Sequence, residues 1–307
     1  MKKKTPSDLR TPSTEQILPA ARHLDRMSSL EIVRLINRED ATVARAVHRA
    51  LPQIARAIDL IVVGLRHGGR LIYVGAGTSG RIAALDASEI PPTFNTDPSS
   101  VQFVMAGGLR ALGVSTEASE DDTALAIAEM KKRKLGRHDV VLGIASSGRT
   151  RFTTAAVEYA RRRGARTIAL TCNRHSPLER AADLAIVTEV GPEVLAGSSR
   201  MKAGTAHKMV LNMISTGAMC RLGYVYGNLM VNVWTNNEKL TERAVRILGQ
   251  ATGADAATAR RALKASGNRT PVAVVMLAAG VGRGQAEAAL KKTRGNVRHG
   301  IVLAKVR

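Results

Sequence analysis

Two short turns in this sequence combine hydroxyls with bare backbone N–H groups in a pattern suited to holding an anion. The first, Gly75-Ala-Gly77-Thr78-Ser79-Gly80-Arg81, follows an apolar run at 71–74 and leads into helical spacing over 81–89. A buried strand, a glycine turn and a helix start form a cradle in which unpaired N–H groups and the Thr78 and Ser79 hydroxyls can meet phosphate oxygens. The second, Ser146-Ser147-Gly148-Arg149-Thr150, follows the run 139–145 and repeats the arrangement. One such turn alone can be ordinary Ser/Thr capping. Two at neighbouring strand ends point to a phosphate with polar groups around it, as in a sugar phosphate.

Two carboxylates are candidates for chemistry. Glu89 falls at the far end of the helix expected over 81–89, where a negative charge opposes the dipole and gains nothing structurally. Glu120 falls at the start of a helix expected over 119–133, capped by Ser119 and crowded by Asp121 and Asp122. The dipole favours a carboxylate there, so from the residues alone a structural role for Glu120 is as good an explanation as a catalytic one. Gly75-x-Gly77-x-x-Gly80 also matches the dinucleotide fingerprint. The second strand of such a fold should end in an acid for the ribose, and here 101–105 continues into Ala106-Gly107-Gly108, with Asp97 ahead of the strand.

The elements that must position these residues alternate. Strands are expected at 71–74, 101–105, 139–145, 166–172 and 184–187, with helices between them, one at 153–163. This implies an α/β fold, a doubly wound, parallel, five-stranded sheet with ligands at the carboxyl ends of its strands. Upstream, Ser28 and Ser29 cap a helix with Glu31 in its first turn, and Pro52 kinks the helical stretch 41–67 or starts a second helix. Pro91-Pro92 are expected to stop the helix that carries Glu89. A Met-rich helix follows Gly197-Ser-Ser-Arg-Met-Lys and ends near Gly223; Met201, Met209, Met213 and Met219 read as core or subunit interface. Beyond Asn237 the composition turns to Ala, Arg and Lys, with about four short helices broken at Gly253, Gly267, Gly280 and Gly295. The expected organisation is an N-terminal arm over 1–28 that orders only against a partner, a sugar-phosphate domain over 29–238 and a helical bundle over 239–307.

Composition excludes other classes. Aromatics are 3% of the 307 residues, too few for base-stacking platforms. The 46 Lys and Arg against 25 Asp and Glu give a net charge of +21. The excess is concentrated after Leu240, where 13 basic residues face 3 acidic ones. No recognition motif accompanies it, so it reads as a solvated face rather than a nucleic-acid site. Cys172 and Cys220 fit neither zinc spacing nor a disulfide framework, and no run suggests a secretion signal or a membrane span. A cytoplasmic protein is expected.

The motifs Val-Gly-Ala-Gly-Thr-Ser-Gly-Arg, Leu-Asp-Ala-Ser-Glu-x-Pro-Pro-Thr, Gly-Ile-Ala-Ser-Ser-Gly-Arg-Thr and Gly-Ser-Ser-Arg-Met-Lys-Ala-Gly-Thr-Ala, in this order, resemble those of the N-acetylmuramic acid 6-phosphate etherases. These are sugar isomerase (SIS) domain enzymes of cell-wall recycling, related to the non-catalytic glucokinase regulatory protein. The resemblance runs from about Ser28 to the C-terminus. It implies a homodimer with a ubiquitin-associated-like C-terminal bundle, and cleavage of the ether joining D-lactate to C3 of the sugar phosphate. In the open-chain sugar the C1 aldehyde acidifies the C2 proton, so one general base and one general acid are the minimum equipment, and no metal or organic cofactor is needed. The resemblance implies that Glu89 is the proton donor to lactate, afterwards activating water, and Glu120 the base at C2. Ser79, Ser147 and Thr150 match phosphate-holding positions, with Thr78 and Ser146 beside them. Arg81 and Arg149 can add charge or simply form ion pairs. Lys202, His207 and Lys208 are further candidates, though a lone His is more often a core residue. The chain departs from the family pattern at Arg151, where Pro is expected, and at Asn232, where Asp is expected. The alternative from another class is a phosphosugar-sensing regulatory protein.

Overall fold

The computed structural model describes residues 12–114, 117–233, 235 and 237–306; residues 1–11 of the expected arm lie outside the described residues. The chain divides into two compact units, one of residues 1–87 and 100–214, the other of residues 88–99 and 215–307.

The first unit is built on five strands, β1 (Leu71–Gly75), β2 (Val101–Met105), β3 (Val140–Ile144), β4 (Arg166–Thr171) and β5 (Leu184–Val187). They pair in parallel in the order β2-β1-β3-β4-β5, with Leu71 opposite both Val101 and Val140. β1 and β3 are buried at every position, which is why they read as unbroken apolar runs rather than alternating ones. Side chains still alternate in direction. Ile72, Val74, Val141 and Ala169 pack with Met130, Phe152 and Val157 on one face. Between them, Tyr73 donates its phenol to the buried carboxylate of Asp86 at 2.9 Å.

The helices around the sheet are α1 (Ser29–Asp40), α2 (Val43–His48), α3 (Leu51–Arg66), α4 (Gly77–Phe94), α5 (Thr123–Lys132), α6 (Arg151–Arg162), α7 (Pro177–Ala181) and α8 (Lys202–Leu222). Ser28 and Glu31 close a reciprocal capping box at the start of α1. Pro52 lies in the first turn of α3, where its missing N–H has no intrahelical partner to lose, so the stretch 41–67 is two helices. Arg151 opens α6 regularly, with Phe152 buried behind it.

Three local expectations change. First, α4 does not stop at Pro91-Pro92 but runs through them to Phe94. A proline disturbs the turn behind it and leaves the turn ahead free to close. Here Asn95, left-handed at φ 51°, closes it by donating its N–H to the Pro91 carbonyl at 2.8 Å. Second, α5 begins at Thr123 with Asp122 as its cap, the carboxylate accepting the Leu125 N–H at 2.8 Å. Ser119 and Glu120 belong instead to a 3-10 turn, Glu117–Glu120, ahead of it. Third, residues 12–28 of the arm are ordered against their own chain through 3-10 turns, and Thr14 is fully buried.

The second unit contains α9 (Glu238–Thr252), α10 (Ala256–Ala265), α11 (Thr270–Ala279), α12 (Arg283–Lys292) and α13 (Val297–Lys305). Its core includes Leu248, Leu263, Val272, Val275 and Leu290. Gly253 and Gly280 end α9 and α11 in the left-handed conformation, at φ 77° and 67°. Among the described residues no helix is long and apolar enough to cross a membrane.

Candidate active site

The strand order reverses between β1 and β3: the chain leaves β1 towards β2 on one side and β3 towards β4 on the other. Such a reversal opens a crevice beyond the carboxyl ends of the two central strands. Both hydroxyl turns lead out of those strands. The first is tight enough that a Cβ on Gly80 would lie 2.9 Å from the Gly75 carbonyl oxygen. In the second, Gly148 has φ +66°, and a Cβ there would collide with Ser176 and come within 2.7 Å of Thr171 Oγ1.

Between the turns lies a hollow of about 210 Å³. Thr78 and Ser79 from the start of α4, Ser146, Ser147 and Thr150 from the second turn, and Ser199 ahead of α8 line it with hydroxyls. The Thr150 side chain makes no capping bond to α6, so capping does not account for it. Ser79 is buried, its Oγ 3.4 Å from Nδ1 of His207 on α8. His207 is itself fully buried, with Nε2 3.8 Å from Cys172 Sγ. Burial pulls the imidazole down to about 4. It also pushes the Cys172 thiol up to about 12. Both groups are therefore neutral at ordinary pH, and His207 serves as an uncharged prop for Ser79.

Glu120 also lines the hollow, with Oε1 3.0 Å from the place a Cβ on Gly77 would occupy. The dipole explanation for this carboxylate passes to Asp122, which holds the cap of α5, while Glu120 lies against the first turn. Glu89 is not among the lining residues; it is exposed on α4, ten residues beyond Ser79. The hollow thus gathers Glu120 and the hydroxyls of Thr78, Ser79, Ser146, Ser147 and Thr150.

Of the other candidates, Lys202 is buried in an ion pair with Glu39 at 2.8 Å and does not line the hollow. The N–H groups of Lys202 and Ala203 are each 2.9 Å from the fully buried carboxylate of Glu193, whose pKa burial raises. Arg81 donates to the Leu112 carbonyl at 3.1 Å. Arg149 lines a neighbouring groove of about 890 Å³ that shares Ser147 and Glu15 with the hollow. Sequence reasoning missed two lining residues. Ser199 belongs to the motif before α8 and offered a signal there as a hydroxyl beside a helix start. Glu15, from the arm, offered none. Among the described residues no three of His, Cys, Asp and Glu are grouped to hold a metal ion.

A parallel sheet of this order with hydroxyl turns at its reversal is the architecture of a SIS domain. Two family descriptions match, "SIS domain" over residues 112–217 and "Glucokinase regulatory protein N-terminal SIS domain" over residues 53–161. The fold is also that of a phosphoheptose isomerase from Francisella tularensis, with a TM-score of 0.52 and 20% identity, covering 62% of this chain and 98% of that one. Sequence similarity is far more specific. The chain is 54% identical over 268 residues to an N-acetylmuramic acid 6-phosphate etherase from Symbiobacterium thermophilum, covering 87% of this chain and 89% of the relative. It is 48% identical over 298 residues to one from Streptomyces avermitilis, covering 97% and 96%. The chain belongs to the N-acetylmuramic acid 6-phosphate etherase family.

Proposed function

We infer that this protein cleaves the D-lactyl ether of N-acetylmuramic acid 6-phosphate, giving N-acetylglucosamine 6-phosphate and D-lactate. The observation that carries the reading is Glu120 standing in one small hollow with six hydroxyl side chains. The start of α4 and the hydroxyls hold the phosphate, and anchoring that remote group aligns the reacting carbons. In the ring-opened sugar Glu120 takes the C2 proton. The electron pair released at C2 forms the C2–C3 double bond as the C3–O bond breaks. Lactate leaves with a proton from an acid. Water then adds at C3, its proton passing to the carboxylate that protonated lactate, and C2 regains the proton that Glu120 took, so the net change is hydrolysis of the ether.

Glu89 is the acid in this reading. Glu89 is not among the residues that line the hollow. The protein works as a homodimer in which Glu89 of the partner subunit completes each site. The reaction belongs in the cytoplasm, in keeping with the free thiols of Cys172 and Cys220.

Two experiments test this. Turnover in ¹⁸O-labelled water should release unlabelled D-lactate and place the label on the sugar at C3; no lactate from this substrate contradicts the function. Mixing the inactive variants Glu89→Gln and Glu120→Gln under conditions that exchange subunits should restore activity, because one site of each mixed dimer then holds both glutamates. Mixed dimers as inactive as the single variants would refute the shared site.

A further inference from the structure

The arm places a second carboxylate at the hollow. Ser13 donates its backbone N–H and its hydroxyl to Asn173 Oδ1, at 2.7 and 2.8 Å. The Asn173 amide in turn donates to Thr14 Oγ1 at 3.2 Å and to the Ser146 carbonyl at 2.9 Å. One side chain just beyond β4 therefore ties the arm to the second hydroxyl turn. The next arm residue, Glu15, lines the hollow. Its Oε2 is 2.9 Å from where a Cβ on Gly197 would be, and Gly197 has φ +77°, so a glycine leaves the carboxylate its room.

A carboxylate at this place needs a reason. None of the residues lining the hollow is Lys or Arg, and among the described residues the Glu15 carboxylate forms no ion pair or hydrogen bond. It is exposed and repels a phosphate. Arg149, Arg174 and Arg180 line the neighbouring groove that Glu15 shares, but among the described residues none of them pairs with it. An ionised carboxylate only accepts hydrogen bonds, so its partner on a bound sugar phosphate must be a neutral donor away from the phosphate. With O3 consumed by the ether, the donors left on the substrate are its free hydroxyls and the acetamido N–H. We propose that Glu15 is a substrate-positioning residue that accepts a hydrogen bond from a hydroxyl or the amide N–H of the sugar, so that the arm selects the sugar while the two turns select the phosphate. This rests on the etherase reading for the identity of the sugar.

The test compares affinities for N-acetylglucosamine 6-phosphate and inorganic phosphate, by calorimetry, in the full chain and in Glu15→Ala and Glu15→Gln. A hydrogen bond to a charged group contributes enough that Glu15→Ala should weaken sugar-phosphate binding, and kcat/KM on the etherase substrate, by about 10- to 100-fold. Glu15→Gln, which keeps an acceptor, should lose less. Phosphate affinity should be unchanged or tighter in both, since a negative charge has gone. Equal weakening for both ligands would overturn the proposal, because it would mean that Glu15 only shapes the turns; so would no weakening for either. If the unaltered protein releases no lactate yet Glu15→Ala weakens only sugar-phosphate binding, the etherase reading fails and the positioning role stands.

Discussion

Replacing His207 by Gln should flatten the acid side of the protein's stability profile. The imidazole ionises near 6.5 when free and near 4 in the fold, because burial beside Ser79 and Cys172 leaves no water to solvate its charge. The folded value is the lower one, so the unfolded chain binds the proton first and acid favours unfolding. Above about pH 7 the group contributes nothing to this balance. As pH falls below 6.5 each further pH unit costs about 1.4 kcal/mol, which amounts to about 2 kcal/mol at pH 5 and about 3 kcal/mol near pH 4. Urea unfolding followed by far-UV circular dichroism at pH 7 and pH 5 would measure it in both proteins. Each protein also loses stability through other groups, so the comparison is between the two pH dependences. The unaltered protein should lose about 2 kcal/mol more than His207→Gln over that interval. Parallel losses would refute the claim that His207 is held neutral against Ser79.

Gly148→Ala combines a positive φ with a Cβ that collides with Ser176, so it should cost about 2 kcal/mol or more and weaken inorganic phosphate binding, measured by urea unfolding and calorimetry. Arg70 holds Asp139 at 2.7 Å where β1 and β3 begin, and the Asp139 side chain is 5% exposed. Removing the arginine in Arg70→Ala leaves that carboxylate without its cation and should cost about 3 kcal/mol, read from the urea midpoint. An unchanged midpoint in either variant would contradict the packing described for it.

Much of the sheet was legible because the central strands are covered on both faces and so read as compact apolar runs, and the edge strands are still mostly apolar; 101–105 and 184–187 match β2 and β5 residue for residue. The two hydroxyl turns were legible for a related reason. Positions such as Gly148, where a side chain cannot fit, leave glycines beside the hydroxyls that line the hollow. Local competition was harder to read. Ser119 and Asp122 both suit a helix cap; Asp122 takes it, and Glu120 lies ahead of the helix with its carboxylate beside Gly77. Pro91-Pro92 announced a stop that Asn95 supplies one turn later. Glu15 was illegible because its place depends on Asn173, about 160 residues away, and no local periodicity encodes a contact of that range.

The base assigned to the hollow is tested most directly by following the C2 proton of N-acetylmuramic acid 6-phosphate in deuterated water. Glu120→Gln should bind inorganic phosphate as tightly as the unaltered protein, yet slow both C2 exchange and D-lactate release by roughly 10² to 10⁴-fold, the range for losing one general base. Exchange and lactate release at undiminished rates in Glu120→Gln would contradict the account.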